Sequence, residues 1–369
     1  MKTMLVERPK PAILIVEDEE GPRNALKIIL RPFFELSITS NRHEALQALL
    51  TKPIDLVTLD LKLPDGYGLD LFHAIKRARR GVEIVIITGY GTLKSSQEAV
   101  RNGAAGYLLK PFNVADLIAL INRTLERKHR LDDMRSFLRS AQSLWADARG
   151  AADAWAQLRG RFPVSSPAHI APLSPDPRDA GTLALLADVL EASDHIRLSH
   201  ANRVSNYAAL LAAPLKLGPA DQHALAVGAF LHDIGHVALD RWENPAQAAG
   251  REPGEADTLH PQIGVRMATP LGIPERALHI IAHHHERYDG TGYPDGLAGD
   301  QIPLLARIVG IAQMFDHLTT SNGRAIMSFA EACEHLGTQA GTALDPDLVE
   351  LFLERLSEQQ QPRPAQTNA

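Results

Sequence analysis

Residues 281–296 read I-A-H-H-H-E-R-Y-D-G-T-G-Y-P-D-G and combine three successive histidines with an acid, an arginine and a glycine-rich loop. Core packing does not require such a composition. Neutral imidazoles are good ligands for borderline transition metals, so the run predicts a metal site at the end of a helix. Eleven of the sixteen histidines lie between His195 and His317, which indicates that this half of the chain is built around such a site.

Further candidate ligands lie upstream, far apart in the sequence. His232 and Asp233 follow an apolar helical stretch in the run F-L-H-D-I-G-H, and His200 and His260 are widely separated from them. Burying a histidine and a carboxylate costs free energy unless they are paired or bind a metal. A single histidine is more often a surface or capping residue, but the joint pattern favours metal binding. The candidate ligands are His200, His232, Asp233, His260, His284 and His285.

Residues 179–358 show long segments of helical apolar periodicity that are separated by Pro and Gly, with almost no β-branched alternation. This pattern predicts an all-α helical bundle, in whose core ligands from several helices can meet. Because Asp233 directly follows His232, a carboxylate bridging two ions is sterically reasonable. Helices are expected near residues 180–192, 197–213, 219–233, 258–268, 274–285, 302–320, 328–339 and 346–357.

The N-terminal part alternates short apolar runs with amphipathic stretches, which predicts a doubly wound α/β fold with a five-stranded parallel sheet. Strands are expected near residues 12–16, 34–38, 54–60, 82–88 and 105–109. Polar residues follow the carboxyl ends of these strands, where an open α/β sheet holds its ligands. They are Glu17, Asp18, Asp60, Thr88 and Lys110.

These five residues suggest phosphoryl chemistry. Glu17, Asp18 and Asp60 can hold Mg²⁺, which prefers oxygen ligands. Asp60 would attack a phosphoryl group, Thr88 would hydrogen-bond to the acyl phosphate, and Lys110 would neutralise charge. Any one of the acids could be a solvated residue at a strand end, but five matching positions argue against that alternative.

Residues 10–127 resemble the receiver domain of two-component response regulators. The resemblance rests on I-L-I-V-E-D-E, L-V-T-L-D-L-K-L-P-D-G, I-I-T-G-Y-G and Y-L-L-K-P-F. It implies a flavodoxin-like fold, a sensor histidine kinase as phosphodonor and Asp60 as the phosphorylation site. It also implies that Tyr107 is the switch aromatic, which reports phosphorylation to the face formed by the family's fourth helix and fifth strand.

The segment after the receiver-like part has a heptad pattern of apolar residues. The pattern predicts a connector helix that pairs with its copy in a homodimer, and the alternative is a helix that lies on its own domain. The residues are Leu131, Met134, Leu138, Ala141, Trp145, Ala148, Ala152 and Trp155. We therefore expect a receiver domain at 1–127, a helical connector and Pro-rich linker at 128–178, a metal-binding domain at 179–358 and a disordered tail at 359–369.

Residues 185–320 resemble the HD-GYP family. Members of this family are cyclic-di-GMP phosphodiesterases and belong to the larger group of HD metal hydrolases. The resemblance rests on H-A-N-R-V-S-N-Y-A-A-L-L-A, L-H-D-I-G, L-H-P-Q-I-G, H-H-E-R-Y-D-G-T-G-Y-P-D-G-L and I-P-L-L-A-R-I-V-G-I-A. It implies a binuclear iron or manganese site that activates water against a phosphodiester. The resemblance implies that one metal uses Asp233, His260, His284 and His285, and that the other uses His200, His232 and Asp233. It also implies that the substrate pocket is shaped by Arg287, Asp289, Gly292, Tyr293 and Pro294.

Several residues depart from that family's pattern. His236 replaces a lysine that binds the scissile phosphate, and Gln313 replaces the aspartate of the second metal, so that metal is expected to bind less tightly or to be missing. Ile196 replaces a glutamate used for a third metal, so no third ion is expected at that position. The phosphate-contact segment is also replaced, by a run that contains Arg324.

Two interpretations follow. In the first, phosphorylation at Asp60 controls hydrolysis of cyclic di-GMP, and His236 or Arg324 partly replaces the lost cations. In the second, the domain is degenerate and binds one metal, or the dinucleotide without cutting it. It then signals through protein contacts, with partners of the diguanylate-cyclase type. The four retained ligands of one metal favour the first interpretation.

Composition narrows the remaining classes of function. The net charge of −6 provides no basic field for a phosphate backbone, and no basic recognition helix is visible, so DNA is not an expected partner. A single cysteine, Cys333, excludes an internal disulfide framework and a cysteine-based zinc cluster. With no signal core and no run of apolar residues long enough to span a bilayer, we expect a cytoplasmic protein without a membrane partner.

Overall fold

The computed structural model describes residues 10–79, 81–89, 103–163, 180–239, 255–320 and 327–360. The chain divides into two compact units, Met1–Arg130 and Leu131–Ala369. The expected linker after Pro163, the expected tail after residue 360, and Arg324 lie outside the described residues.

The N-terminal unit is a five-stranded parallel sheet in the order β2-β1-β3-β4-β5. This confirms the predicted fold, with strand bounds that differ from the expected ones by two residues or fewer. The strands are β1 Ala12–Val16, β2 Glu35–Thr39, β3 Leu56–Leu59, β4 Glu83–Thr88 and β5 Gly106–Leu109. Among the described residues, the helices that lie wholly within this unit are α1 Glu20–Leu30, α2 Arg42–Thr51 and α3 Gly68–Ala78.

The register of the sheet aligns the carboxyl ends of its strands. Val16 of β1 pairs with Leu59 of β3, and Thr88 of β4 pairs with Leu109 of β5. Both faces of the sheet are covered, because β1 and β3 contribute side chains to one core cluster above the sheet and to another below it. The polar residues that follow these strand ends are therefore brought to one edge of the sheet.

The structure corrects the expected connector helix. Helix α4 (Val114–Ser140) ends before the heptad pattern does, and a 3₁₀ turn (Gln142–Ala146) and helix α5 (Ala148–Arg161) follow it. The Asp147 side chain accepts a hydrogen bond from the Gly150 backbone N–H and so starts the new helix. The prediction of one continuous helix as far as Trp155 is therefore wrong.

The apolar residues of this segment pack against their own unit. Leu131, Met134, Leu138 and Trp145 belong to the buried core of the helical unit, and the Trp155 indole N–H donates to the Met267 carbonyl oxygen at 2.7 Å. The alternative of a helix that lies on its own domain is thus the one observed. The expected homodimer zipper is corrected, because six of its eight side chains are already buried within one chain and only Ala148 and Ala152 are exposed.

The described part of the rest of the C-terminal unit is all-helical, as predicted. No helix among the described residues is long and apolar enough to cross a membrane. The helices are α6 Ala180–Ser193, α7 His195–Ala212, α8 Pro219–Leu231, α9 His236–Leu239, α10 Glu255–Ala268, α11 Glu275–His283, α12 Leu304–Thr319, α13 Phe329–Gln339 and α14 Pro346–Gln360.

Candidate functional site

Asp233 lies in the turn between α8 and α9, and this turn lies close against α10. A Cβ added to Gly235 would overlap the carbonyl oxygen of His260, so the close approach requires glycine at this position. The approach brings Nε2 of His260 to 3.3 Å from Oδ1 of Asp233.

The two carboxylate oxygens of Asp233 face different pairs of histidines. Oδ1 lies 3.3 Å from Nε2 of His260 and 3.7 Å from Nε2 of His284. Oδ2 lies 3.5 Å from Nε2 of His232 and 3.6 Å from Nε2 of His200. A carboxylate that offers one oxygen to each side is suited to bridge a pair of metal ions.

The structure brings all six expected ligands together. Their ligand atoms form two groups, and within each group these atoms lie within 4.8 Å of one another. One group contains Asp233, His260, His284 and His285, and the other contains His200, His232 and Asp233.

Hydrogen bonds select the tautomers of the two histidines in the group that contains His200. Nδ1 of His232 lies 2.8 Å from the Ala229 carbonyl oxygen, and Nδ1 of His200 lies 2.7 Å from Oδ2 of Asp316. Both oxygens can only accept, so both Nδ1 atoms must donate, and the Nε2 atoms of the neutral rings carry lone pairs. These two Nε2 atoms lie 3.2 Å apart. Facing lone pairs repel each other unless a cation lies near both, so this donor set fits a metal ion.

The group of four has a similar arrangement. Nδ1 of His284 lies 3.0 Å from the Ile281 carbonyl oxygen and must donate to it, which leaves its Nε2 unprotonated in the neutral ring. This Nε2 lies 3.1 Å from Nε2 of His260. The donor set of the group of four is therefore also suited to a metal ion.

Burial favours the neutral form of four imidazoles in and beside the cluster. It lowers the pKa of His232 and of His236 to about 3, and it also lowers the pKa of His284 and His285. Burial alone would raise the pKa of Asp233, but the neighbouring imidazoles outweigh it and hold that pKa well below its usual value. Neutral histidines around an ionised carboxylate are in the protonation state that metal binding requires.

At the carboxyl edge of the N-terminal sheet, Lys110 joins two carboxylates. Its Nζ lies 2.6 Å from Oε2 of Glu17 and 2.6 Å from Oδ2 of Asp60, and the Thr88 hydroxyl donates to Oδ1 of Asp60 at 2.8 Å. Glu17, Asp18 and Asp60 place ligand atoms within 4.8 Å of one another. The oxygen donors of this cluster can hold a hard divalent cation.

Burial and charge have opposite effects within this cluster. Burial raises the pKa of Glu17, and the hydrogen bond from Lys110 offsets part of that rise. Burial alone would lower the pKa of Lys110, but hydrogen bonds to Asp60 and Glu17 outweigh it and leave the pKa raised, so the ammonium stays charged. Tyr107 packs against the core, and its buried hydroxyl has no hydrogen-bond partner within the part of the chain that the structure describes.

Each of the two units matches a known protein family. The response regulator receiver domain matches residues 13–122, and the HD domain matches residues 184–348. This chain belongs to the response regulators with an HD output domain. Both resemblances that the motifs indicated are thereby confirmed.

Three relatives illustrate the family. The cyclic di-GMP phosphodiesterase response regulator RpfG of Xanthomonas campestris pv. campestris is 27% identical over 359 residues, which cover 92% of this chain and 86% of that protein. The cyclic di-GMP phosphodiesterase of Thermotoga maritima is 25% identical over 348 residues, 92% of this chain and 89% of that protein. The 3'3'-cGAMP-specific phosphodiesterase 2 of Vibrio cholerae serotype O1 is 32% identical over 183 residues, 47% of this chain and 34% of that protein.

Gln313 of this HD response regulator is buried next to the histidine cluster. Its Nε2 lies 3.4 Å from Nε2 of His285, and its buried Oε1 has no partner among the described residues. Its contact is therefore with the group of four, whereas we expected it to serve the other group. In either position, a neutral amide stands where a carboxylate would attract a metal ion more strongly.

His236 contacts the cluster but does not supply the lost positive charge. Its ring stacks on His260 with centroids 4.1 Å apart, and its Nε2 lies 3.8 Å from Oδ1 of Asp233. With a pKa of about 3, it is neutral near pH 7. The expectation that it replaces a lysine cation is thereby corrected, and Arg324 lies outside the described residues.

The glycine-rich loop places only some of its residues on the cluster. The Tyr293 ring stacks on His285 with centroids 4.8 Å apart, and Gly292 lies so close to the backbone of residues 285–287 that a Cβ would overlap it. Pro294 follows this tyrosine. Arg287 and Asp289 instead contact each other, and both contact Thr291. Hydrogen bonds from Thr291 lower the pKa of Asp289 to about 2.

Three supporting residues of the site were not predicted from the sequence. Asp316 accepts hydrogen bonds from His200 and, at 2.5 Å, from Nε of Arg203, which lies one turn after His200 on α7. Burial alone would raise the pKa of Asp316, but these two partners lower it to about 2. Glu286 accepts hydrogen bonds from the backbone N–H groups of Asp295 and Leu297 and so closes the loop. The three-residue spacing of His200 and Arg203 was the available signal for that pair.

Proposed function

We propose that this HD response regulator hydrolyses cyclic di-GMP, and that phosphorylation of Asp60 by a sensor histidine kinase controls the activity. The observation that carries the proposal is the face-to-face arrangement of the Nε2 atoms of His200 and His232 beside the shared carboxylate of Asp233. Relatives that match most of this chain are named cyclic di-GMP phosphodiesterases, which supports the choice of substrate.

Two iron or manganese ions would be held by the two groups that share Asp233. Such ions supply Lewis acidity towards a phosphodiester and make water a stronger nucleophile at neutral pH. The protein's part is to hold the ligands ready. Nδ1 donation selects the tautomer in which Nε2 of His200 and of His232 can face a metal ion, and Arg203 keeps the Asp316 carboxylate ionised and oriented for His200.

Side chains of the loop would orient the dinucleotide. The Tyr293 ring lies over His285 and offers an aromatic face next to the metal ligands, which suits stacking on a base. The Arg287 guanidinium is held by Thr291 and Asp289 and remains 39% exposed, so it can contact a phosphate. Because His236 is neutral, positive charge for the substrate would come from Arg287 and the metal ions.

The receiver unit would act through its acidic edge. Mg²⁺ held by Glu17, Asp18 and Asp60 would offset the charge of an incoming phosphoryl group. Asp60 would be the nucleophile, while Lys110 and Thr88, which already contact it, would hydrogen-bond to the phosphorylated product. Tyr107, whose hydroxyl is buried, would be the side chain that responds to the change.

One observation favours a second candidate function. The Gln313 amide beside His285 supplies no negative charge to the metal cluster, so the cluster would hold its ions less firmly. A domain with a single ion would bind cyclic di-GMP, or a protein of the diguanylate-cyclase type, without hydrolysis.

The test uses the purified full-length chain with Fe²⁺ or Mn²⁺ under reducing conditions. Cyclic di-GMP and 3'3'-cGAMP are offered separately, and linear or mononucleotide products are measured together with bound metal. We expect hydrolysis of cyclic di-GMP that His284→Ala abolishes and His335→Ala, outside the cluster, retains. Bound dinucleotide without product supports the second candidate. A protein that shows neither binding nor product refutes hydrolysis and dinucleotide binding alike and leaves only the binding of a protein partner.

Control by phosphorylation is tested on the same protein. Turnover is compared before and after treatment with a small-molecule phosphodonor, with Asp60→Asn as the matched variant. The proposal requires a change in turnover that Asp60→Asn lacks. An equal response in both proteins would refute control through Asp60.

A further inference from the structure

A third group of potential metal ligands joins the two ends of the glycine-rich loop and includes none of the ligands around Asp233. His283 is the last residue of α11, Glu286 lies at the start of the loop, and Asp295 lies near its end. Their ligand atoms lie within 4.8 Å of one another. One imidazole and two carboxylates form a mixed nitrogen and oxygen donor set.

The distances suit a small divalent ion. Nδ1 of His283 lies 3.8 Å from Oε1 of Glu286 and 3.7 Å from Oδ2 of Asp295. Both are too long for a hydrogen bond. Tetrahedral Zn²⁺ with nitrogen and oxygen ligands holds neighbouring ligand atoms roughly 3.4 Å apart, so each pair would need to close by only about 0.4 Å.

Nδ1 of His283 is a polar atom that lacks a partner. It is buried, and within the described ranges it has no hydrogen-bond partner. A buried polar atom without a partner costs about 1–3 kcal/mol, so its orientation towards two carboxylates requires an explanation. A bound cation at that position would supply the missing interaction.

The charge of the group leads to the same conclusion. The Glu286 side chain is fully buried, and its oxygens accept backbone N–H hydrogen bonds from Asp295 at 2.8 Å and Leu297 at 3.1 Å. Within the part of the chain that the structure describes, no lysine or arginine forms an ion pair with Glu286 or Asp295. A buried carboxylate is stabilised by a cation, and here none comes from a lysine or arginine side chain among the described residues.

We propose that His283, Glu286 and Asp295 bind a divalent cation of the Zn²⁺ type, with water as the fourth ligand. The ion joins Asp295, which is exposed, to the end of α11 and so holds residues 286–295 closed as a loop. It thereby fixes the position of Tyr293 next to His285. The site is separate from the proposed hydrolysis, because none of its three ligands belongs to the Asp233 groups.

The test counts metal ions and does not rely on turnover. Full-length protein is loaded with Zn²⁺, desalted and analysed for bound metal, and the affinity is measured by calorimetry. We expect His283→Gln and Asp295→Asn each to lose one equivalent and to bind Zn²⁺ at that site at least roughly tenfold more weakly. His279→Gln, one turn earlier on α11, is the matched control and should retain the full count.

Two further measurements separate this site from the catalytic groups and from misfolding. In an Asp233→Ala background, which removes the ligand shared by the other two groups, Asp295→Asn should still remove one equivalent. Because the Asp295 side chain is 59% exposed, the metal-free melting temperature of Asp295→Asn should equal that of the parent, and only the rise on adding Zn²⁺ should be smaller. An unchanged metal count and affinity in both His283→Gln and Asp295→Asn would overturn the proposal.

Discussion

Acidification should destabilise the metal-free helical unit well above the pH at which carboxylates titrate. His232 is completely buried, and burial lowers its pKa from 6.5 to about 3. Between these two values the unfolded chain binds a proton that the folded chain does not bind. The stability from this residue is therefore complete above pH 6.5 and is lost progressively as the pH falls towards 3.

The magnitude follows from the width of that window. Each pH unit below 6.5 costs about 1.4 kcal/mol for one such histidine, so His232 alone costs about 2 kcal/mol at pH 5 and about 5 kcal/mol at pH 3. His236, whose pKa is also about 3, acts in the same direction. Domains are commonly stable by only about 5–15 kcal/mol, so a loss of this size is readily measured.

Tryptophan fluorescence can follow the helical unit selectively. All three tryptophans lie after residue 130, and Trp145 and Trp155 are buried in the core of the helical unit. Urea unfolding of the metal-free chain at pH 7, 6 and 5 gives the slope of stability against pH. Substituting His232→Asn keeps a donor for the Ala229 carbonyl oxygen and removes the titrating ring.

The variant should flatten the slope by about 1.4 kcal/mol per pH unit between pH 6 and 5. The control His335→Asn, outside the cluster, should leave the slope unchanged. If the parent chain and His232→Asn lose stability equally over this range, the buried neutral imidazole is not what makes the unit sensitive to acid, and the reasoning fails.

Three other substitutions test separate contacts. Gln313→Asp adds a negative charge at the metal cluster and should raise Mn²⁺ affinity by at least about tenfold in calorimetry, whereas Gln313→Asn should give no gain. Asp316→Asn removes the ionised acceptor of the His200 ring but no metal ligand, and it should weaken metal binding roughly 10–100-fold. Equal metal affinity in the parent and the variant would show that Asp316 does not orient His200 for metal binding. Trp155→Phe leaves the Met267 carbonyl oxygen without its indole donor. The free energy of unfolding, measured by urea titration with circular dichroism, should fall by about 1–3 kcal/mol. A smaller decrease would argue against the hydrogen bond.

Elements with one dominant local pattern were predictable from the sequence. The strand Ala12–Val16 is an apolar run buried on both faces, so its type and bounds follow from composition. The six ligands around Asp233 were likewise identifiable, because adjacent histidines and a His-Asp pair in apolar helices need partners. In both cases the residue types allow few alternatives.

The connector shows where such patterns stop being sufficient. Apolar residues at steps of three and four fit a helix that pairs with its copy as well as a helix that packs on its own domain. Local features break the pattern, namely the Asp147 cap and Gly150, where a Cβ would overlap the Leu144 carbonyl oxygen. These features permit the turn after Ser140, but the surface that receives Trp155 is formed by residues more than a hundred positions later.

The same limit explains the missed supporting residues. Glu286 reaches backbone N–H groups nine and eleven positions later, and Asp316 reaches a histidine 116 positions earlier. An acid has many partners available in a sequence, and only the folded chain selects one. The metal ligands were easier to predict because their chemistry restricts what they can do.

The replacement at residue 236 changes how the pocket must bind a phosphate. Burial is the main reason that the pKa of His236 is low, the negative charge of Asp233 opposes it in part, and the positive charge of Arg197 on α7 lowers the pKa further. A lysine would have brought a fixed charge to this position, whereas a neutral imidazole stacked on His260 brings none. Electrostatic attraction for a phosphodiester therefore depends on cations other than residue 236. Because bound metal ions would be the largest of these charges, a cluster that holds them loosely beside Gln313 would lose substrate affinity together with reactivity.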